Sequence, residues 1–474
     1  MSRDTRETVG DEARAGEPWG KRLWLALAAV CALAACLQSY GISRWPMADD
    51  EVPSLVELGL LRIDAPAFFS VPAAQIQRLP KATIVWNTVQ RHFIDLLPDN
   101  EVSFRVPGVV FGILTSALAF LLAARWRGLW FAVALTIVVN GSQLFIYLVQ
   151  LNRFYSLPLL FLTLTLASMC VPWGGRTMIG VTALLTALSV LSHNMTVAVF
   201  GLAFVAACLA YVLGHVRLQL VLRSGAAVAT GGLLYVLYLR PLVLGWANTG
   251  NPTPVWISFA AHAGMPILAL SLLGCWLSVF RRDEWPSMIW WALLFAGSLF
   301  LFKGTSINWN PRYFLFFLPA AWVLSAHSME LIARRLGYGS VGAVWYSCVL
   351  LLLVPSLVSH YQDGSRHDYR QAAAVVTAHA QEGQTILSDD AETISYYLPE
   401  HLRQQLRVRS KVTAFPTSEF LLVCRSNAWM PLPDVPHRKL DLLAEIYRRR
   451  YDQFSHIVRV YRVAAEHQGR RRDN

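Results

Sequence analysis

The sequence predicts a polytopic α-helical membrane protein with a small α/β domain at its C-terminal end. Three observations lead there. The 474 residues are 55% hydrophobic and only 15% charged, where a soluble domain is usually about a quarter charged. Apolar runs long enough for a helical crossing recur along most of the chain. From residue 360 onward the composition turns to that of a soluble domain with short periodic segments. The net charge of +11 would suggest nucleic acid if it sat in one folded basic unit. Here it is spread over short loops and the tail, as the positive-inside bias requires, so nucleic-acid binding is set aside.

Residues 1–22 are polar and mixed in charge and read as a disordered tail. The first apolar span follows at 23–40, just after Lys21 and Arg22. Within it, Leu33-Ala34-Ala35-Cys36 also resembles a lipoprotein cleavage box, although small residues and Cys are ordinary helix-packing positions. Residues 41–103 form a long amphipathic loop, with interfacial helices expected at 54–61 and 82–97. Further spans are expected at 106–123, 129–148, 154–171, 177–192, 195–213, 224–243, 263–280, 287–302, 313–328 and 340–358, about eleven crossings in all. Arg125/Arg127, Arg176, Arg217/Arg223, Arg281/Arg282 and Arg334/Arg335 fall on alternate turns, on the side of Lys21/Arg22. The N-terminus is therefore expected in the cytoplasm and the tail outside. In 360–474 the pattern predicts helices at 372–380, 393–398 and 440–447, with strands at 385–388, 420–424 and 457–463. Of seven cysteines only Cys424 lies in this domain, so neither a disulfide framework nor a CxxC zinc spacing is present.

The charge that remains is gathered at the outward turns. Trp45 to Leu61 reads WPMADDEVPSLVELGLL and holds three consecutive acids, Asp49, Asp50 and Glu51, at a membrane boundary. Such carboxylates repel one another and must be solvated, paired or used. The same face offers Lys81, Arg91, Arg105, Arg153, Lys303 and Arg312, with Tyr155, His193 and Tyr313 beside them. Arginine suits a phosphate held near the bilayer, because its planar fork is always charged. A carboxylate suits deprotonation of a hydroxyl acceptor. One acid cluster with several cations thus fits transfer to an alcohol with a phosphate leaving. A coupled carrier such as a lipid-linked-sugar flippase would instead place charge at mid-span or show inverted repeats, and neither is seen. A non-catalytic envelope assembly protein would tolerate neutral substitutions in the triplet.

These residues bear a likeness to a known family. Asp50-Glu51 after the first span resembles the acidic motif of the protein O-mannosyltransferase and aminoarabinose transferase group, which has the GT-C glycosyltransferase fold. HFIDLLPDNEVSFRVPGVVFG, with Arg105-Val106-Pro107, resembles the entry to that group's second helix. VQLNRFYSL resembles its QEARxYxL turn, with Arg153 and Tyr155 in place, and LSHN resembles its turn with His193. NPRYFLFFLP resembles the RYxxxxxP helix start, with Arg312, Tyr313 and Pro319, and DYRQAAAVV at 368–376 resembles the opening of the outer domain. Two positions depart: Leu151 stands where the family turn often has Glu, and Pro80-Lys81-Ala82 replaces PPL.

The resemblance implies a membrane-embedded GT-C-like catalytic domain over 23–359 and an extracytoplasmic domain over 360–474. It also implies a polyprenyl-phosphate sugar donor, a hydroxyl acceptor and inversion at the anomeric carbon, in a multi-pass protein of the bacterial inner-membrane kind. The site expected from residues and resemblance together has Asp50 as general base and Glu51 or Asp49 orienting the acceptor or tuning that base. Arg153, Arg312 and Lys303 would stabilise the departing phosphate. Lys81, Arg105, Tyr155, His193 and Tyr313 complete the expected substrate contacts. Each has a plainer alternative: Asp50 as a helix N-cap, Glu51 complementing a helix dipole, Arg153 snorkelling, His193 as a packed structural residue, and Arg312-Tyr313 as an interface belt. No cofactor is expected. A divalent metal on Asp49, Asp50 and Glu51 is disfavoured, because adjacent residues rarely converge on one ion.

Overall fold

A computed structural model describes residues 20–47, 51–52, 83–98, 100–151, 153–171, 175–240, 255–280, 287–304, 311–363, 367–409, 415–426, 438–448 and 456–465. The helices of the N-terminal part are α1 (Lys21–Ser39), α2 (Ile84–Leu96), α3 (Glu101–Arg127), α4 (Leu129–Gly141), α5 (Gln143–Val149), α6 (Ser156–Cys170) and α7 (Thr177–Ser192). There follow α8 (Thr196–Val212), α9 (Leu218–Leu234, continued by a π turn to Leu239), α10 (Val255–Ala263), α11 (Met265–Phe280) and α12 (Ser287–Gly304). A 3-10 turn (Pro311–Phe316) leads into α13 (Leu318–Leu336) and α14 (Ser340–Asp363). Among the described residues four helices are long and apolar enough to cross a membrane: α1, α3, α9 with its π turn, and α14. The pair α4–α5 supplies a fifth if taken as one span bent by 64°, and α6, α7, α8, α11 and α12 are shorter apolar helices. The bundle is that of an integral membrane protein.

One expected span is broken: the run 129–148 bends after Gly141, where Ser142 leaves helical geometry. The run 263–280 folds as α11 and is entered through Gly264, whose φ of +102° ends α10. The run 313–328 likewise starts as a 3-10 turn before α13. The 54–61 segment lies outside the described residues, whereas 82–97 folds as α2, with Trp86 buried beside Phe111 of α3.

Close backbone approach holds the bundle together, as expected where lipid removes the usual hydrophobic drive. A Cβ on Gly108 of α3 would meet the Val149 carbonyl oxygen at 2.3 Å, and one on Gly274 of α11 would meet that of Leu324 in α13 at 2.3 Å. Hydroxyls bridge neighbours, as with Ser271 and Ser325 at 3.0 Å and Ser168 and Thr182 at 2.8 Å. At the end of the bundle away from Trp45, Arg127 closes α3 against Glu330 of α13 at 2.8 Å, and Tyr338 donates to the other Glu330 oxygen at 2.8 Å. Glu330 therefore enters the apolar interior already neutralised, without which a buried carboxylate would be costly.

Beyond α14 come α15 (Tyr369–His379), β1 (Ile386–Ser388), α16 (Ala391–Tyr397), α17 (Glu400–Arg403), β2 (Leu406–Val408), β3 (Phe420–Ser426), β4 (Leu440–Arg448) and β5 (His456–Val463). The strands form one sheet in the order β2-β1-β3-β5-β4, with β1 parallel to β2 and β3, and β5 antiparallel to β3 and β4. Tyr369, Ala372 and Val376 of α15 and Ile394 of α16 bury one face of it. Asp368 and Asp390 cap α15 and α16 by accepting from the N–H groups of Gln371 and Thr393. The expected helix at 440–447 is instead β4. Its Leu, Ala and Glu favour a helix locally, but pairing with β5 sets Asp441 opposite Arg462 and Glu445 opposite Arg459, and such cross-strand pairs outweigh weak propensity.

Candidate functional site

The acidic segment is held from below by one arginine. Arg105 sits in the second turn of α3, fully buried, and all five of its N–H groups are spent on the chain. Nε donates to Glu51 Oε1 at 3.1 Å and Nη2 to Glu51 Oε2 at 2.9 Å. Nη1 donates to the carbonyls of Ile42 and Trp45 at 2.8 and 2.9 Å, and Nη2 to that of Pro46 at 3.0 Å. This corrects the expected substrate contact by Arg105, which has no donor left for a phosphate. Glu51, equally buried, presents both carboxylate oxygens to that fork. It fastens the acidic segment to α3, a different task from handling an acceptor in solvent.

The same segment is held from above by the C-terminal domain. The Met47 N–H donates to the Tyr397 hydroxyl at 2.6 Å, and that hydroxyl donates to Glu101, the first residue of α3, at 2.8 Å. Arg370 pairs with the other Glu101 oxygen, reaches the Trp45 carbonyl at 3.4 Å and lies over the Tyr397 ring. Met47, Val52 and Phe104 are buried together, with Tyr396 and Tyr397 packed on them. Burial and the neighbouring Glu101 carboxylate push the Tyr397 phenol well above its usual pKa, so it remains a neutral donor. Sequence reasoning missed Tyr397, Glu101 and His360. Arg370 lies inside the quoted DYRQAAAVV stretch, where its role carried no local signal.

A second group of expected residues gathers on the 149–155 turn, at the same end of α3. Gly108 abuts the Val149 and Leu151 carbonyls. Gln150 donates to the carbonyls of Gln38 and Tyr40 at 3.0 Å each and meets His360 Nε2 at 2.9 Å, which ties this turn to the end of α1 and the end of α14. Arg153 is half-buried with its guanidinium 5.4 Å from the Phe154 ring. His193, at the end of α7, has ring neighbours in Phe154 at 5.0 Å, Tyr155 at 6.3 Å and Phe316 at 5.2 Å. The Met195 N–H donates to its Nδ1 at 3.2 Å, which requires that nitrogen to keep its lone pair. Phe316 ends the 3-10 turn that carries Arg312 and Tyr313, and Lys303 lies in the last turn of α12. The side chains of Lys303, Arg312 and Tyr313, and the whole of Asp49, Asp50 and Lys81, lie outside the described residues.

What the described residues bring together at this end is the two flanks of the acidic segment, a half-buried arginine, and an aromatic wall of Phe154, Tyr155, His193 and Phe316. A guanidinium beside aromatic faces can hold a charged ligand that carries a ring.

The architecture defines a class: this is the GT-C membrane fold, to which the motifs already pointed. No family model matches the sequence, and no curated protein does. The crystal structure of ArnT from Cupriavidus metallidurans in the apo state is similar over 92% of this chain and 97% of its own, with TM-score 0.54 at 13% identity. The same protein bound to undecaprenyl phosphate covers 93% and 98%, with TM-score 0.54 at 13% identity. The Archaeoglobus fulgidus oligosaccharyltransferase, tethered to an acceptor peptide, is similar over 82% of this chain and 64% of its own, with TM-score 0.51 at 12% identity.

Proposed function

We propose that this protein is an inverting glycosyltransferase, moving a monosaccharide from a polyprenyl-phosphate donor to a hydroxyl acceptor on the outer side of the membrane. The observation that carries the reading is that Arg105 anchors the flanks of the acidic segment to the end of α3, where Gly108 also abuts the turn that leads to Arg153, which shares its aromatic neighbours with His193 and the 3-10 turn. The fold shared with ArnT and the archaeal oligosaccharyltransferase supports it, as does the resemblance of the motifs in the sequence.

In this reading Asp50 takes the proton from the acceptor hydroxyl, whose oxygen forms the new bond to the anomeric carbon from the face opposite the phosphate. The bond from that carbon to the phosphate oxygen breaks, and its electron pair leaves on the polyprenyl phosphate. Arg153, Arg312 and Lys303 stabilise that charge, and no general acid is required. Asp49 orients the acceptor, while Glu51, held by Arg105, fixes the backbone from which Asp50 projects. The charge asymmetry of the loops supports an N-terminus in the cytoplasm and a C-terminal domain outside.

The test is transfer of radiolabel from a panel of polyprenyl-phosphate sugars to an envelope extract, comparing wild type with Asp50→Asn. The variant should lose about 10²–10⁴-fold in turnover while expressing and binding donor normally. Full activity in Asp50→Asn removes that residue from the mechanism, and no transfer by wild type from any donor removes the reading itself.

A further inference from the structure

We infer that the C-terminal domain is a working part of the transfer centre, with Tyr397 and Arg370 as positioning residues that set the acidic segment for turnover; this rests on the transferase reading above.

The argument is one of fixed ends. On the N-terminal side of the acids, the Trp45 carbonyl is held by both Arg105 and Arg370. The Met47 N–H is held by the Tyr397 hydroxyl at 2.6 Å. On the C-terminal side, Glu51 is locked on Arg105 and Val52 is buried against Phe104 under Tyr396 and Tyr397. Only Ala48, Asp49 and Asp50 lie between these anchors. The described residues on both sides of the acids are thus held, Trp45 and Met47 by groups of both the bundle and the C-terminal domain, and Glu51 by the bundle.

The lower anchor belongs to the bundle. The upper one is mixed: Tyr397 closes a relay from the Met47 backbone through its hydroxyl to Glu101, and Glu101 is braced by Arg370. Glu101 opens α3, and Arg105 lies one turn further along the same helix. The domain and the bundle thus grip one helix end and one loop together. Packing alone would be satisfied by the rings of Tyr396 and Tyr397. The hydroxyl adds two directed bonds that specify where Met47 sits, and directed bonds are what a reaction sensitive to small displacements needs.

Tyr397→Phe keeps the ring and removes only those two bonds, and Arg370→Met removes the brace on Glu101. In the full chain in detergent, each should lower kcat on the order of tenfold to a hundredfold with donor KM unchanged. Each should also speed amide hydrogen exchange in the peptide covering residues 45–52. A fall in kcat together with faster exchange supports the inference. Wild-type kcat in both variants overturns it, whatever the exchange shows. So does a rise in donor KM alone, because that is a binding effect. Should wild type transfer no sugar at all, the functional reading falls first and this role falls with it. The exchange data, which need no substrate, then still report whether the domain clamps the segment.

Discussion

The buried pair of Glu51 and Arg105 offers the sharpest quantitative test. The perturbation is a double-mutant cycle of Glu51→Gln, Arg105→Met and their combination. Both side chains are fully buried and meet through two charge-assisted bonds, at 2.9 and 3.1 Å. Bonds to charged groups contribute about 1.5–3 kcal/mol each, and breaking a buried pair from one side costs about 3–5 kcal/mol. Glu51→Gln should therefore destabilise by about 3–5 kcal/mol. Arg105→Met should cost more, because it also strands the Ile42, Trp45 and Pro46 carbonyls. In the cycle those stranded carbonyls cancel, leaving a coupling energy of about 3 kcal/mol or more. The assay is SDS-titrated unfolding in mixed micelles, followed by circular dichroism. A coupling below about 1 kcal/mol, the range of exposed pairs, would refute the clamp, and with it the account of how the acidic segment is held.

Other expectations follow from the same geometry. Gly108→Ala puts a Cβ into the Val149 carbonyl, so the 149–155 turn must shift; thermal unfolding should register a loss of about 1–3 kcal/mol, with donor KM rising as Arg153 moves. A variant of unchanged stability and KM contradicts the close approach. Cys424 is buried in β3 and its thiol is pushed up to about 12 by burial. It stays protonated at pH 8, so maleimide should label it only after unfolding, as read by mass spectrometry. Rapid labelling of the folded chain would argue against this packing. The Asp50→Asn and Tyr397→Phe comparisons described above complete the set.

The parts of this molecule that follow local rules were legible in the sequence. Hydropathy found the bundle because lipid imposes a length and a composition on every crossing. It overran the bend at Ser142, although Asn140-Gly141-Ser142 is a turn signal inside the apolar run. Local propensity likewise misread β4, whose strand character comes from its partner β5. The site was legible in its residue types and less so in their tasks. Arg105 looked like a phosphate ligand because it was an arginine at the outward end. Its partner lies 54 residues away, and no spacing rule records such a pairing. Tyr397 is 350 residues from Met47, beyond the reach of any reading that works along the chain.

That last separation bears on biogenesis. Met47 leaves the ribosome well before Tyr397, which follows only after α14. A nascent chain paused within the bundle has Met47 without the hydroxyl that holds its N–H. That contact forms only when the segment after α14 folds back onto a stretch made 350 residues earlier.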